Sequence, residues 1–399
     1  MIAPNSYGAL STTSAKTIQG SRPGFTGQSG AKKLGFKIGN TTYSESAGNL
    51  STTPGAINNF NAGLRLDEFN VMTLTAADFN ASTDYEDSDG DGADPLMPFT
   101  MSTVTKKWLD RNGNEITDYS QALGCSGFNM PLTLKITLPN VQVHSKYGNP
   151  RHSIQSDLVK EYKIGTASGI CFAKPNSLDY WNGTTPNATT GGGYNSTQFD
   201  PNNGFKASLN TKFPTTGFPK ASFTLIMTSN PTDYTFTHNG GSAVTVGTDG
   251  KVTLNSKPSG PVTIKAKLNG TSQEHEYTFN PTTVWVVPKS GSRNYASAVS
   301  ACGGANKIPS RAQLTNSPQR NAPQGWSYFA NYYTRAVGGG VFGEWGYTTS
   351  GCYPGSQWVY SSYWTRDPWS TRSQFDVNSN DGYVGYYYTS SSNYGACLE

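Results

Sequence analysis

Between residues 221 and 281 the chain breaks into short alternating runs with turn dipeptides between them. Phe223-Thr224-Leu225-Ile226-Met227 opens the segment. Ala243-Val244-Thr245-Val246, Lys251-Val252-Thr253-Leu254, Val262-Thr263-Ile264-Lys265-Ala266 and Glu276-Tyr277-Thr278-Phe279 follow. Asp249-Gly250, Ser259-Gly260 and Asn269-Gly270 separate them. Alternation with period two is the mark of a half-buried strand, and evenly spaced strands suggest a small β-sandwich. About sixty residues is short for that fold, so one strand is missing or borrowed.

The same patterning appears upstream. Leu132-Thr133-Leu134-Lys135-Ile136-Thr137-Leu138 alternates apolar and polar residues, and Asn112-Gly113 and Asn182-Gly183 mark turns. Residues 154–164 are the best candidate for a short helix. Residues 1–33 are mostly small and polar and read as a linker or disordered end. The organisation expected is a β-sandwich domain over 34–220, a second small sandwich over 221–281 and a third domain over 282–397. The terminal Leu398-Glu399 reads as a cloning scar, which makes the chain a piece of something longer.

Composition narrows the class. Only 14% of the 399 residues are charged, whereas Gly and Pro number 44 and 23, which argues against helical bundles. A net charge of +4 and no dense basic stripe argue against a nucleic-acid partner. No apolar run is long enough to span a membrane as a helix. Signatures of metalloproteases, serine hydrolases, phosphate loops and dinucleotide folds are missing, so no enzyme is expected.

The third domain opens on the strand Thr283-Val284-Trp285-Val286-Val287, followed by short helices over 295–302 and after Ile308-Pro309-Ser310-Arg311. Beyond them, 20 of the 69 residues from Trp326 to Tyr394 are Trp, Tyr or Phe, against 12% in the whole chain. They fill a core or form a binding face, and both uses fit large, stiff side chains with polar tips. Tyr386-Tyr387-Tyr388 cannot all be buried in one strand, because neighbours point to opposite faces. The ligand-binding candidates are Trp345, Tyr353, Trp358, Trp364, Trp369 and Tyr387, in a Gly- and Ser-rich stretch of the kind that forms functional loops.

In the first domain, residues 84–94 read Asp-Tyr-Glu-Asp-Ser-Asp-Gly-Asp-Gly-Ala-Asp. Asp87, Asp89 and Asp91 alternate before Gly92, like the first half of a calcium loop, and Asp94 stands where a fourth ligand could come from. The loop holds structural Ca²⁺ or is simply a solvated acidic turn.

Several phrases carry a family resemblance. Trp285, Ala298-Val299-Ser300-Ala301-Cys302, Ile308-Pro309-Ser310-Arg311-Ala312-Gln313-Leu314, Tyr363-Trp364-Thr365-Arg366 and Gly395-Ala396-Cys397 resemble the C-type-lectin-like domain that caps the invasin and intimin adhesins. Ala243-Val244-Thr245-Val246-Gly247-Thr248-Asp249-Gly250 resembles the bacterial immunoglobulin-like repeat. Cys125-Ser126-Gly127-Phe128-Asn129-Met130-Pro131, Gly169-Ile170-Cys171-Phe172 and Phe199-Asp200-Pro201-Asn202-Asn203-Gly204-Phe205 resemble the adhesion domain of large enterobacterial outer-membrane proteins of the Salmonella Rat and Sin type.

The resemblance implies a mainly β, multidomain chain: a β-sandwich, a small immunoglobulin-like β-sandwich and an α+β C-type-lectin-like domain. It implies disulfides Cys125–Cys171 and Cys302–Cys397, leaving Cys352 free. It also implies an adhesin on the bacterial surface, part of a larger outer-membrane-anchored protein. Such a fragment would act as a monomer, with a host-cell protein or mucosal glycan as its partner. The competing reading is a structural stalk module. The Glu-Pro-Asn and Trp-Asn-Asp triplets of calcium-dependent sugar binding are missing, and Ser379-Asn380-Asp381-Gly382 reads as a hairpin turn.

Overall fold

The computed structural model describes residues 20–181, 183, 191–321 and 331–399. Most of the expected linker, most of the loop at 182–193, and Trp326, Tyr328 and Phe329 lie outside the described residues. The chain forms two compact units, Met1–Leu123 with Asn129–Thr166 and Gly124–Phe128 with Ala167–Glu399.

The spine of the first unit is the strand Leu132–Val143. Its alternating Leu132, Leu134, Ile136 and Leu138 are fully buried. The strand outruns the expected 132–138 by way of a bulge between Leu138 and Val141, where Asn140 takes a positive φ of 56°. It pairs antiparallel with Ser156–Thr166 on one side and Thr105–Leu109 on the other.

Ser156–Thr166 is therefore a strand, not the helix expected over 154–164. The i, i+4 spacing of Ile154, Leu158 and Tyr162 fits both periods. Pairing with the spine selects the strand, burying Tyr162 and Ile164 and leaving Val159 exposed. A small sheet of Thr41–Tyr43, Phe36–Ile38 and Asn70–Val71 packs on the large one through rings. Phe36 lies 5.7 Å from Phe60, 5.2 Å from Phe69 and 6.3 Å from Tyr162, and Phe69 lies 5.1 Å from Trp108.

In the second unit a six-stranded sheet runs Phe199–Asp200, Gly204–Lys206, Ile170–Pro175, Ala221–Met227, Lys251–Leu254, Val244–Val246. The three-stranded partner is Tyr234–His238, Val262–Leu268 and Glu274–Phe279. The short immunoglobulin-like segment thus borrows its missing strands from upstream. The boundary drawn at residue 220 falls inside this sheet, because hydrogen bonds between Ile170–Pro175 and Ala221–Met227 cross it.

A second six-stranded sheet follows the order Thr216–Gly217, Val284–Arg293, Asn393–Leu398, Ser362–Ser370, Ser373–Asn378, Val384–Tyr388. The helix Tyr295–Cys302 starts where the Asn294 side chain accepts from Ser297 N at 2.9 Å. It stops at Gly303, whose φ of 77° suits a residue without a side chain. The short helix Arg311–Leu314 is held by a Ser310/Gln313 capping box. One continuous core runs through both parts of the unit: Trp345 lies 4.7 Å from Phe213, and Trp358 lies 5.9 Å from Phe218. Both disulfides, Cys125–Cys171 and Cys302–Cys397, are formed, and Cys352 is free and half-buried. Among the described residues no helix is long and apolar enough to cross a membrane.

Candidate binding surface and acidic loop

Four of the six aromatic candidates are core residues. Trp345, Tyr353, Trp358 and Trp364 are each 0% exposed. Trp345 Nε1 donates to the Thr216 carbonyl at 3.1 Å, and the Tyr353 hydroxyl donates to the Trp345 carbonyl at 2.6 Å. Trp364 donates to the Arg293 carbonyl at 2.8 Å and packs with Ala298 and Ile308 beneath the helix. A buried Trp ring is held best where its N–H finds an acceptor, as those of Trp345 and Trp364 do. The Gly- and Ser-rich character of the stretch marked tight turns over a core rather than a presented loop.

The other two candidates lie on strands of the C-terminal sheet, Trp369 on Ser362–Ser370 and Tyr387 on Val384–Tyr388. Trp369 is partly buried, stacked face to face on Tyr386 at 4.4 Å. Tyr387 is 50% exposed and its neighbour Tyr388 66%. The triplet is thus only partly covered, as strand alternation required. Two further exposed aromatics were not singled out from the sequence. Tyr360 is 63% exposed, edge-on to Tyr347 at 6.2 Å. Trp181 is 37% exposed, stacked on Tyr332 at 6.1 Å and donating to the Asn380 carbonyl at 3.0 Å. Trp181 stands just before the turn pair Asn182-Gly183 and Tyr360 just before Ser361-Ser362. The turn at 379–382 is present, with Gly382 N donating to the Asn378 carbonyl.

Two buried charges also escaped the sequence reading. Glu344 accepts from Thr215 N and Oγ1, Thr216 N and Oγ1, and Gly338 N, all at 2.7–3.1 Å. Burial still pushes its carboxyl above the ordinary range, against those hydrogen bonds. Arg335 donates to the Ser177, Asp179 and Glu344 carbonyls and lies 4.6 Å over the Phe199 ring. These groups fasten the aromatic turn to Thr215-Thr216 and Ser177.

In the first unit, Asp87, Asp89 and Asp91 bring carboxylate oxygens within 4.8 Å of one another. The Tyr85 hydroxyl donates to Asp87 at 2.9 Å and to the Asp91 carbonyl at 2.6 Å, and Ser21 N donates to Asp89. Burial and the adjacent Asp89 raise the Asp87 carboxyl, while hydrogen bonds from Asp87 and Ser21 lower that of Asp89. The charge on Asp89 therefore makes that of Asp87 harder to hold. Such crowding suits a hard divalent cation, although Ca²⁺ takes six to eight oxygens and this set is a partial one.

Asp94 is not brought to the cluster. It accepts from Leu96 N at 2.9 Å and Met97 N at 3.1 Å and pairs with Arg151 at 3.1 Å. Those partners satisfy its oxygens, so it serves as a turn cap.

Comparison with known proteins gives three findings. Residues 193–279 match the family model for invasin, domain 4. Invasin of Yersinia enterocolitica is 28% identical over 184 residues, 45% of this chain. The aligned part is 20% of that relative, so the chain spans about a fifth of its length. Among solved structures, an invasin described as a bacterial integrin-binding protein aligns with a TM-score of 0.41 at 17% identity, covering 77% of this chain and 60% of the other. A C-terminal 282-residue fragment of intimin, solved with the intimin-binding domain of its translocated receptor, aligns with a TM-score of 0.36 at 15% identity. It covers 75% of this chain and 100% of the other.

Proposed function

We infer, for a chain of the invasin and intimin adhesin type, that it is a non-enzymatic adhesin segment displayed on a bacterial surface within a larger outer-membrane-anchored protein. Its second unit binds a host-cell protein or mucosal glycan through the outer hairpin of the C-terminal sheet. The observation that carries this reading is the exposure of Tyr387 and Tyr388 at 50% and 66%, in a unit that buries most of its large rings. Stiff aromatics with hydroxyl tips supply contact area at low entropic cost. The stalk alternative gives such exposure no role. Binding of the pure chain to cultured epithelial cells and to a glycan array tests the proposal. Equal binding, or equal lack of it, by wild type and the Tyr387→Ala/Tyr388→Ala double variant would sink it.

We also propose that Asp87, Asp89 and Asp91 hold structural Ca²⁺, supported by the convergence of their oxygens within 4.8 Å. Asp94 is left out of that set. A melting midpoint identical in EDTA and in millimolar calcium would return the loop to a solvated acidic turn.

A further inference from the structure

We propose that Asp376 is a pH-sensitive latch on the edge strand Val384–Tyr388, held in acid and released as the medium rises to neutral. The proposal builds on the reading of that strand as part of the binding face. Asp376 lies in Ser373–Asn378, is 1% exposed, and its Oδ2 has no hydrogen-bond partner among the described residues. A buried carboxylate normally has several donors, and Glu344 in the same unit shows what a satisfied one looks like. Asp376 instead pairs with Trp364 on one side and Gly385 on the other.

Paired residues present their side chains on one face of a sheet, so the carboxylate sits between an indole and a residue with no side chain. A Cβ placed on Gly385 would come within 3.2 Å of Oδ1. The carboxylate therefore bears directly on the backbone of the edge strand, one residue before Tyr386.

The groups around it do little to help it ionise. Ser362, on the strand Ser362–Ser370, favours the charged form. Tyr383, just before the edge strand, has its phenol pushed up by burial and by the acids Asp381 and Asp376 nearby. From the helix side, Tyr295 is hydrogen-bonded to Gln374, two residues away on the same face, and its phenol is pushed up by burial. Among the described residues no cation contributes to holding Asp376 ionised, and burial drives its carboxyl up to about 7.

The direction of the effect follows. Below about pH 4 the group is protonated folded or unfolded and costs nothing. As pH rises from there toward about 7, the folded state keeps a proton that the opened state releases, so stability falls. Above about 7 both states are charged and the loss levels off. Lifting the edge strand hydrates the carboxylate, so opening there is the cheapest relief.

Hydrogen exchange on the full chain from pH 5 to 8 tests this without needing a receptor. After correction for intrinsic rates, protection of the Val384–Tyr388 amides should fall by up to about tenfold per pH unit toward pH 7. In Asp376→Asn it should stay flat. Parallel profiles in the two proteins would overturn the latch. Should the variant fail to fold, titration of the Asp376 carboxyl carbon by NMR in the wild type decides, and a midpoint near 4 rejects it. If no cell or glycan is bound at any pH, the adhesion reading fails while the exchange result still judges the latch.

Discussion

Two neighbouring stretches of the second unit are both rich in aromatic residues and use them in opposite ways. In residues 341–364, Phe342, Trp345, Tyr353, Trp358, Tyr363 and Trp364 are buried, leaving Tyr347 half-covered and Tyr360 exposed. In residues 366–388, Phe375 is buried, while Trp369 and Tyr386 are half-covered and Tyr387 and Tyr388 stand out in solvent. The difference is position in the sheet. The first stretch folds over rings from far upstream, Phe213 and Phe218, which pack against Trp345, Tyr353 and Trp358. The second runs through three antiparallel strands to an edge strand, whose end carries the exposed rings. Aromatic content alone therefore says nothing about presentation, and placement relative to the sheet edge decides it.

The largest expected effect tests the first stretch. Trp345→Ala or Trp358→Ala should cost about 3–5 kcal/mol of unfolding free energy, because each opens a cavity the core cannot fill. Denaturant titration measures this, and a loss under about 1 kcal/mol would mean these rings are not core after all.

Next comes the cross-link that encloses both stretches. Replacing Cys302 and Cys397 by Ser should cost about 2–4 kcal/mol, since the bridge closes a loop with a sequence separation of 95. Calorimetry should show the loss in the second unit alone, with the transition of the first unit unmoved.

On the second stretch the expectation reverses. Tyr387→Ala and Tyr388→Ala should each move stability by no more than about 0.5 kcal/mol. Together they should weaken cell binding by about 2 kcal/mol, roughly thirtyfold. Paired melting and binding measurements sharpen the contrast. A fall in stability matching the fall in binding would merge the two stretches into one core.

The smallest effect belongs to the acidic loop, which serves as an internal control. With Ca²⁺ at ten times its dissociation constant, stabilisation of the first unit should reach about 1.4 kcal/mol. The second unit, which lacks Asp87, Asp89 and Asp91, should melt at the same temperature with or without chelator.

Much of this was legible from local pattern. Alternation in Leu132–Leu138 and in the runs from Phe223 to Phe279 specified strands, because only an extended backbone turns every second side chain to the same face. The shortness of the 221–281 segment pointed to a missing or borrowed strand, although not to Ile170–Pro175 as its source. The helix over 295–302 was expected and formed, with Asn294 capping its start and Gly303 its end. The cysteine pairing came from family resemblance rather than from spacing. The tyrosine triplet could not be wholly buried, and this too followed from the sequence alone.

What the sequence left open are the questions answered by contacts between distant residues. Residues 154–164 were expected as a helix, and pairing with Leu132–Leu138 made them a strand instead. Whether Trp345 is core or contact depends on Phe213 and Thr216, far upstream along the chain. Asp94 looked like a fourth ligand to its neighbours, yet Arg151 and two backbone amides from its own turn hold it. Asp376 and Glu344 are alike in type and both enclosed, but Glu344 is met by the N–H and hydroxyl groups of Thr215 and Thr216, whereas Asp376 faces the Ser362 side chain and a bare glycine. Local periodicity determines which backbone shape a segment can adopt. Burial, hydrogen-bond satisfaction and charge state depend on what the rest of the chain brings alongside, and only the tertiary structure supplies that.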